Sequence, residues 1–259
     1  MNRKERGICL IINNFNFEKS RQNGPQCTRL ENRNGTEKDE KSLNEVFSRL
    51  GFRVEVKNDL DGNEILETVG SYSKQNFDNN DCFICCILSH GNTGLVYGTD
   101  GQGVAISDLT FCFRKCLCSS LNGKPKLFFI QACQGVQPQN CVPVESDACN
   151  ASHVDNVTSN DLIPGEPDFL LGMATVLRCS AFRHPNEGSW YIQSLCSELS
   201  AHYHRGEDIL SILTKVNEQL SKKCVSNKTQ MPQPWTTLSR KLVFNLPASP
   251  VSHITPNDN

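Results

Sequence analysis

Two reactive side chains follow two strongly apolar stretches of this chain. Cys133 comes shortly after the run at residues 127–130, and His90 comes two residues after the run at 82–88. Short apolar runs indicate strands buried on both faces, and open α/β sheets bind ligands beyond the carboxyl ends of such strands. A thiolate is a nucleophile, and an imidazole can take the thiol proton and later protonate a leaving amine. If the strands are neighbours, the pair predicts nucleophilic catalysis; taken singly, the two residues would be an inert core cysteine and a surface histidine.

The elements ahead of these residues alternate between strand and helix. Apolar runs predict strands at 7–12, 52–56, 81–88 and 126–130. Apolar residues spaced three and four apart predict helices from Thr36 to about residue 50, at 63–72 and at 107–117. Thr36 is expected to cap the first helix, and the glycines between 91 and 103 predict a small hairpin beside the site. This alternation predicts an α/β fold with a mostly parallel sheet covered by helices.

The composition changes between residues 136 and 167, where four prolines and several acidic residues interrupt the periodicity. This stretch is predicted to be a mobile loop and not a domain boundary. Periodicity then returns and predicts a strand at 168–176, helices at 190–201 and 208–220, and a last strand at 242–244.

The bulk composition is ordinary for a soluble globular protein. The 259 residues include 37% apolar ones and carry a net charge of −2, so no nucleic-acid partner is expected. No apolar run reaches the roughly 18 residues that span a bilayer, and the N-terminus lacks a signal-peptide pattern. The sequence therefore predicts a cytoplasmic protein with no membrane partner.

Fourteen cysteines could indicate disulfides, a zinc site or a redox centre. Several of them lie inside apolar runs, where thiols behave as small hydrophobic groups, so reduced thiols are the prediction. Cys82 and Cys85 have neither a second such pair nor nearby histidines, which argues against zinc. They also lie in a predicted strand, whereas a thioredoxin-like motif needs a helix start. No metal and no cofactor are expected.

The residues around Cys133 read Gln131-Ala-Cys-Gln-Gly135, and His90 lies 43 residues upstream in Ser89-His90-Gly91. This pattern resembles the signature of the caspases, cysteine proteases that cut after aspartate. The segments 81–91, 168–175 and 190–196 look most similar to the initiator caspases eight and ten. The resemblance implies a caspase-like α/β fold, with a mostly parallel six-stranded sheet and helices on both faces.

The resemblance also assigns roles to residues near the catalytic pair. In this family a backbone carbonyl orients the histidine, here that of Glu31. The backbone N–H groups of Gly91 and Cys133 correspond to the oxyanion hole, and a missing Cβ at Gly91 lets substrate approach closely.

Aspartate specificity requires a positive pocket, and arginine grips a carboxylate with two hydrogen bonds. By resemblance, Arg33 and Arg183 supply the cations and Gln131 supplies an amide donor. Phe182 and Trp190 are candidates for apolar walls that contact residues upstream of the cleaved bond, although both would equally fit plain core packing.

Initiator caspases are zymogens activated by dimerisation and trimmed in a central loop. The resemblance divides this chain into a large-subunit part (1–147), a cleavable linker (148–161) and a small-subunit part (162–259), with candidate cleavage sites at Asp147, Asp155 and Asp161. The implied partners are protein substrates with acidic motifs that end in Asp, and a second copy or a related caspase in a dimer. A death-receptor adaptor complex would be contacted through domains absent from this chain.

The predicted function is therefore an aspartate-specific cysteine endopeptidase of apoptotic signalling. The alternative is a catalytically weak caspase-like scaffold that regulates an active partner. Two segments depart from the family pattern: Glu31-Asn32-Arg33 replaces an expected Arg-Asp-Arg, and the residues at 233–238 depart from the aromatic pattern expected before the last strand. In the family the last strand forms the dimer interface, so the departure at 233–238 affects the expected strength of the dimer.

Overall fold

The structure is a computed structural model that describes residues 6–23, 28–137, 139–140 and 165–244. Its strands are β1 (Gly7–Asn13), β2 (Arg53–Asn58), β3 (Cys82–Leu88), β4 (Gly91–Asn92), β5 (Leu95–Tyr97), β6 (Gly103–Ala105), β7 (Lys126–Gln131), β8 (Gln139–Asn140), β9 (Phe169–Met173), β10 (Arg183–His184), β11 (Gly188–Ser189), β12 (Lys228–Thr229) and β13 (Gln233–Thr236). Its α-helices are α1 (Glu18–Gln22), α2 (Thr36–Arg49), α3 (Gly62–Ser73), α4 (Ile106–Phe111), α5 (Trp190–His202) and α6 (Ile209–Ser221).

Six strands form one central sheet in the order β13-β9-β7-β3-β1-β2. Every pair is parallel except β9 with β13, which is antiparallel. The inner strands β1, β3, β7 and β9 are buried along their whole length, as uninterrupted apolar runs require. The predicted mostly parallel six-stranded sheet is confirmed.

Helices cover both faces of this sheet and enclose two apolar cores. One core joins the sheet to α2, α5 and α6 through residues such as Phe47, Leu195 and Leu213. The other joins it to α3 and α4 through Val69 and Leu109. The predicted two-faced arrangement is therefore confirmed, and the strand ends at one edge of the sheet remain available for a site.

The start of α2 differs from the prediction. Gly35 precedes the helix with a φ of 90°, and no side chain caps it. The hydroxyl of Thr36 instead donates to Oδ1 of Asn13 at 2.7 Å and accepts from Nη1 of Arg33 at 2.7 Å. Thr36 is not a cap because its hydroxyl holds a buried arginine.

The segment after β3 also differs in detail. The predicted hairpin is a three-stranded sheet of β4, β5 and β6. The helix predicted at 107–117 ends at Phe111. Beyond it the N–H groups of Phe113 and Arg114 bond three residues back, and the N–H of Lys115 donates to the carboxylate of Glu166 at 2.7 Å. The spacing of apolar residues does not reveal that a distant carboxylate competes for a backbone N–H of the predicted helix.

The prediction of a last strand at 242–244 was wrong. The sixth strand is β13, and Val243 forms only an isolated bridge with Asp208. Leu242 and Phe244 are buried in the core that contains α5 and α6. The apolar run therefore reflected packing against helices and not pairing within the sheet.

The linker at 148–161 and the candidate cleavage sites Asp147, Asp155 and Asp161 lie outside the described residues. Ten of the described cysteines are free thiols. Cys224 is an exception to the expectation of reduced thiols, since it is disulfide-bonded. In the described part of the chain, no helix has both the length and the apolar character that crossing a membrane requires.

Candidate active site

Cys133 and His90 follow two neighbouring strands. β3 and β7 pair in parallel, and the N–H of Ser89 extends their pairing by donating to the carbonyl of Gln131 at 3.1 Å. Gly91 then packs against the backbone of the cysteine, since a Cβ there would lie 2.8 Å from the carbonyl oxygen of Cys133. The two strands are neighbours, and their ends bring the segments that carry the thiol and the imidazole together.

The imidazole of His90 is held by a backbone carbonyl and an aromatic edge. Its Nε2 lies 2.7 Å from the carbonyl oxygen of Glu31, and the ring of Phe17 contacts it edge-on at 4.7 Å between centroids. Because a carbonyl only accepts, Nε2 carries the proton and Nδ1 keeps its lone pair. Burial, aided by the charges of Arg33 and Arg183 and opposed by the Glu31 carbonyl, lowers the pKa of His90 to about 4. The ring is therefore a neutral base at pH 7.

The sulfur of Cys133 is partly exposed and contacts the loop that precedes β10. It accepts a hydrogen bond from the N–H of Ala181 at 3.3 Å and lies 3.7 Å from the carbonyl oxygen of the same residue. This contact ties the thiol to the loop that carries Phe182 and leads into Arg183 of β10.

Arg33 is fully buried beside the site. Its Nη1 donates to the carbonyl of Asn14 at 3.0 Å and to the hydroxyl of Thr36. Its Nε and Nη2, which form the fork that grips a carboxylate, are buried with no partner among the described residues. Burial and the nearby Arg183 lower the pKa of Arg33 to about 9, so the guanidinium remains charged at neutral pH.

Arg183 and Gln131 lie in the same neighbourhood. Nε of Arg183 donates to the carbonyl of Asn34 at 2.9 Å, and burial lowers the pKa of this partly exposed arginine. A thiolate at Cys133 would raise the pKa of both Arg33 and Arg183, against the larger effect of burial. Oε1 of Gln131 is buried without a partner in the described structure.

Asp39 is a buried carboxylate that the sequence analysis missed. Its Oδ1 accepts hydrogen bonds from the N–H of Ser189 and from Nε2 of Gln193, both at 2.8 Å. Burial raises the pKa of Asp39, although the two hydrogen bonds and the charge of Arg33 act to lower it. The carboxylate in turn raises the pKa of both Arg33 and Arg183. The available signal was its position four residues before Leu43, on the apolar face of α2.

Phe182 and Trp190 form one partly exposed apolar surface, with ring centroids 5.1 Å apart. The N–H of Trp190 donates to the carbonyl of Phe182 at 3.1 Å. Gln230, which the sequence analysis also missed, is fully buried; it accepts from the N–H of Phe182 and donates to the carbonyl of Ala174, each at 2.7 Å. The side-chain amide of Gln230 holds the aromatic surface in place. The contact of Phe182 and Trp190 with substrate stays a prediction.

The fold and site define an α/β protein with a thiol and a neutral imidazole at adjacent strand ends, beside two arginines. Residues 6–243 match the sequence model of the caspase domain. The chain therefore belongs to the caspase family.

Individual relatives agree with the expected similarity to the initiator branch. The chain is 48% identical over 249 residues to caspase-8 of Mus musculus, which covers 94% of this chain and 52% of that protein. It is 45% identical over 201 residues to caspase-10 of Homo sapiens, covering 77% of this chain and 36% of the relative. Caspase-3 of Mus musculus is 40% identical over 252 residues, with coverages of 94% and 86%. The chain thus spans about half the length of the caspase-8 relative.

Proposed function

We propose that this chain is the protease part of an initiator-type caspase and that it hydrolyses peptide bonds after aspartate with Cys133 as nucleophile. The observation that carries the proposal is the buried guanidinium of Arg33, whose Nε and Nη2 lack partners among the described residues. Buried donors without a partner are unfavourable, even though the carboxylate of Asp39 offsets part of the charge. A substrate carboxylate that enters beside the thiol would complete these two hydrogen bonds.

The chemistry follows from the protonation state of His90. Its Nδ1 takes the thiol proton of Cys133, and the thiolate attacks the carbonyl carbon of the substrate. Two backbone N–H groups, those of Gly91 and Cys133, stabilise the oxyanion. The imidazolium then gives its proton to the leaving amine, and water hydrolyses the remaining thioester with the same imidazole as base.

Specificity for aspartate comes from Arg33, Arg183 and Gln131. The planar guanidinium matches a carboxylate geometrically, whereas a lysine would supply only a point charge. Phe182 and Trp190 would provide the apolar walls that receive residues upstream of the cleaved bond.

The proposal extends to regulation and place of action. The chain is a cytoplasmic zymogen of apoptotic signalling that dimerises with a second copy or a related caspase. It is then cut in the linker at 148–161, between a large part (1–147) and a small part (162–259). Asp147, Asp155 and Asp161 are the candidate sites, and a death-receptor adaptor complex would recruit the whole protein.

A peptide assay tests the activity. The purified chain, concentrated under reducing conditions, should cleave Ile-Glu-Thr-Asp-X but not the same peptide with Asn in place of Asp. Cys133→Ala should abolish cleavage, while Cys116→Ala, which removes an exposed thiol elsewhere, should retain it. No cleavage by the wild-type chain would reject the proposal in favour of the regulatory scaffold.

Mass spectrometry of the concentrated protein tests the processing. Fragments that end at Asp147, Asp155 or Asp161 are expected for the wild-type chain and should be missing for Cys133→Ala. Cuts after residues other than aspartate would contradict the proposed specificity.

A further inference from the structure

We propose that Asn32, clamped by Arg21, is a positioning residue that fixes the tautomer and orientation of His90. This inference rests on the proposed function, because it assigns a role in the same acid–base step. Neither Asn32 nor Arg21 bonds to the imidazole itself; they act through the two groups that hold it, the ring of Phe17 and the carbonyl of Glu31.

The first route runs through the aromatic ring. Oδ1 of Asn32 accepts the N–H of Phe17 at 3.0 Å and Nη2 of Arg21 at 3.1 Å. Phe17 is fully buried, and its ring meets the imidazole of His90 at 71° between ring planes. The asparagine oxygen therefore fixes the backbone from which this ring extends.

The second route runs through the carbonyl that accepts from the imidazole. Glu31 lies between two anchored residues, since Nη1 of Arg21 donates to the carbonyl of Leu30 at 2.6 Å and Nη2 donates to Asn32. The N–H of Leu30 in turn donates to the hydroxyl of Ser20 at 3.1 Å. With both neighbours anchored, the carbonyl of Glu31 is held against the imidazole, and an acceptor at this place selects a proton on Nε2 of His90.

Side-chain chemistry explains why these residue types suit the clamp. A guanidinium is a rigid fork whose two nitrogens can reach two acceptors at once, whereas an ammonium offers one point of attachment. Helix α1 has five residues, and a helix this short is not stable alone. The hydrogen bonds from Ser20 and Arg21 therefore secure both the helix and the loop at 30–32.

Steady-state kinetics with the intact chain distinguish positioning from general stability. Asn32→Ala should lower kcat for the Asp peptide by about 10-fold to 100-fold, since the two hydrogen bonds that anchor the supports of the acid–base group are lost. KM should change by less than about twofold, because Oδ1 of Asn32 is engaged by Phe17 and Arg21 and acts through His90. Arg21→Lys, a milder change, should lower kcat in the same way by about threefold to 10-fold. Asn32→Asp preserves the acceptor and should retain most of the activity.

A matched control comes from the next residue of α1. Gln22 is exposed, and its side-chain amide donates to Glu18 on the same helix at 3.1 Å, so Gln22→Ala should keep wild-type kinetics. The proposal is overturned if Asn32→Ala and Arg21→Lys both keep kcat, if the loss falls in KM, or if Gln22→Ala loses as much.

Nitrogen-15 NMR of the His90 ring separates this proposal from the proposed protease activity. In the wild-type chain Nε2 should show the chemical shift of a protonated ring nitrogen and Nδ1 that of an unprotonated one. Asn32→Ala should give a mixture of the two tautomers, and Asn32→Asp should restore the single tautomer that is protonated on Nε2. If the wild-type chain cleaves nothing, the protease proposal fails while the resonances still report on the clamp; identical ring resonances in wild type and Asn32→Ala overturn the clamp itself.

Discussion

Acidification should destabilise this protein through His90, and replacing the residue should remove that part of the effect. Burial, with the charges of Arg33 and Arg183, lowers the pKa of His90 from 6.5 to about 4. The unfolded chain therefore takes up a proton near pH 6.5, whereas the folded chain resists it until near pH 4. Stability is fully present above pH 6.5 and is lost as the pH falls from about 6.5 to about 4.

The size of this effect follows from the two pKa values. Between pH 7 and pH 5 the linkage amounts to about 2 kcal/mol in the free energy of unfolding, and the residual exposure of the ring reduces it to roughly 1–2 kcal/mol. Other titrating groups contribute equally to wild type and to a His90 variant, so the comparison between the two isolates the imidazole.

Urea unfolding at pH 7 and pH 5 measures the difference. Cys133→Ala serves as the background, because it prevents the proposed self-cleavage. His90→Asn should lose roughly 1–2 kcal/mol less stability than the background protein over this interval. His184→Asn, which removes an exposed imidazole next to Arg183 in the chain, should behave as the background does. Equal losses with and without His90 would refute the reasoning.

Three further substitutions follow from buried groups. Arg33→Lys should keep the fold but lower kcat/KM for the Asp peptide by about 100-fold or more, because the fork is lost; peptide kinetics measure this, and a loss under about fivefold would contradict it. Tyr191→Phe should raise the free energy of unfolding by about 1 kcal/mol, because the tyrosine hydroxyl is buried without a partner among the described residues. Gly172→Ala should lower it by about 2 kcal/mol, since a Cβ there would lie 2.4 Å from that hydroxyl and 2.9 Å from the ring of Phe129. Thermal and urea unfolding test both predictions. In the double variant, Tyr191→Phe should reduce the loss of stability that Gly172→Ala causes. If the two changes in free energy are simply additive, the added methyl group and the hydroxyl do not clash.

The sequence was most informative where a local pattern has one physical meaning. Continuous apolar runs predicted the inner strands, because only a doubly covered strand avoids polar side chains on both faces. The residues that follow β3 and β7 lie at one edge of the parallel sheet. Sequence periodicity alone left open whether these two strands are neighbours, and the pairing of Cys133 with His90 was implied by the resemblance to the caspases.

The rest of the site depends on contacts between distant parts of the chain. Asp39 forms a hydrogen bond with Ser189, which is 150 residues away in the sequence, and Phe182 forms one with Gln230, which is 48 residues away. An asparagine, an aspartate or a glutamine looks the same in sequence whether it is solvated or buried, so periodicity could not reveal these partners. The misplaced last strand has a similar cause, since Leu242 and Phe244 are buried against helices in a pattern that a strand would share.

The central sheet is continuous across the segment that the structure leaves undescribed. β7 precedes that segment and β9 follows it, and the two strands pair directly. β8, which also precedes the segment, pairs with β12, which follows it. Helices α2 and α5 likewise share one apolar core. A break in the intervening backbone would therefore yield two polypeptides that migrate separately under denaturing conditions but elute as one particle under native ones. Such a nick would free the new chain ends to rearrange while the scaffold that aligns the thiol and the imidazole stays whole.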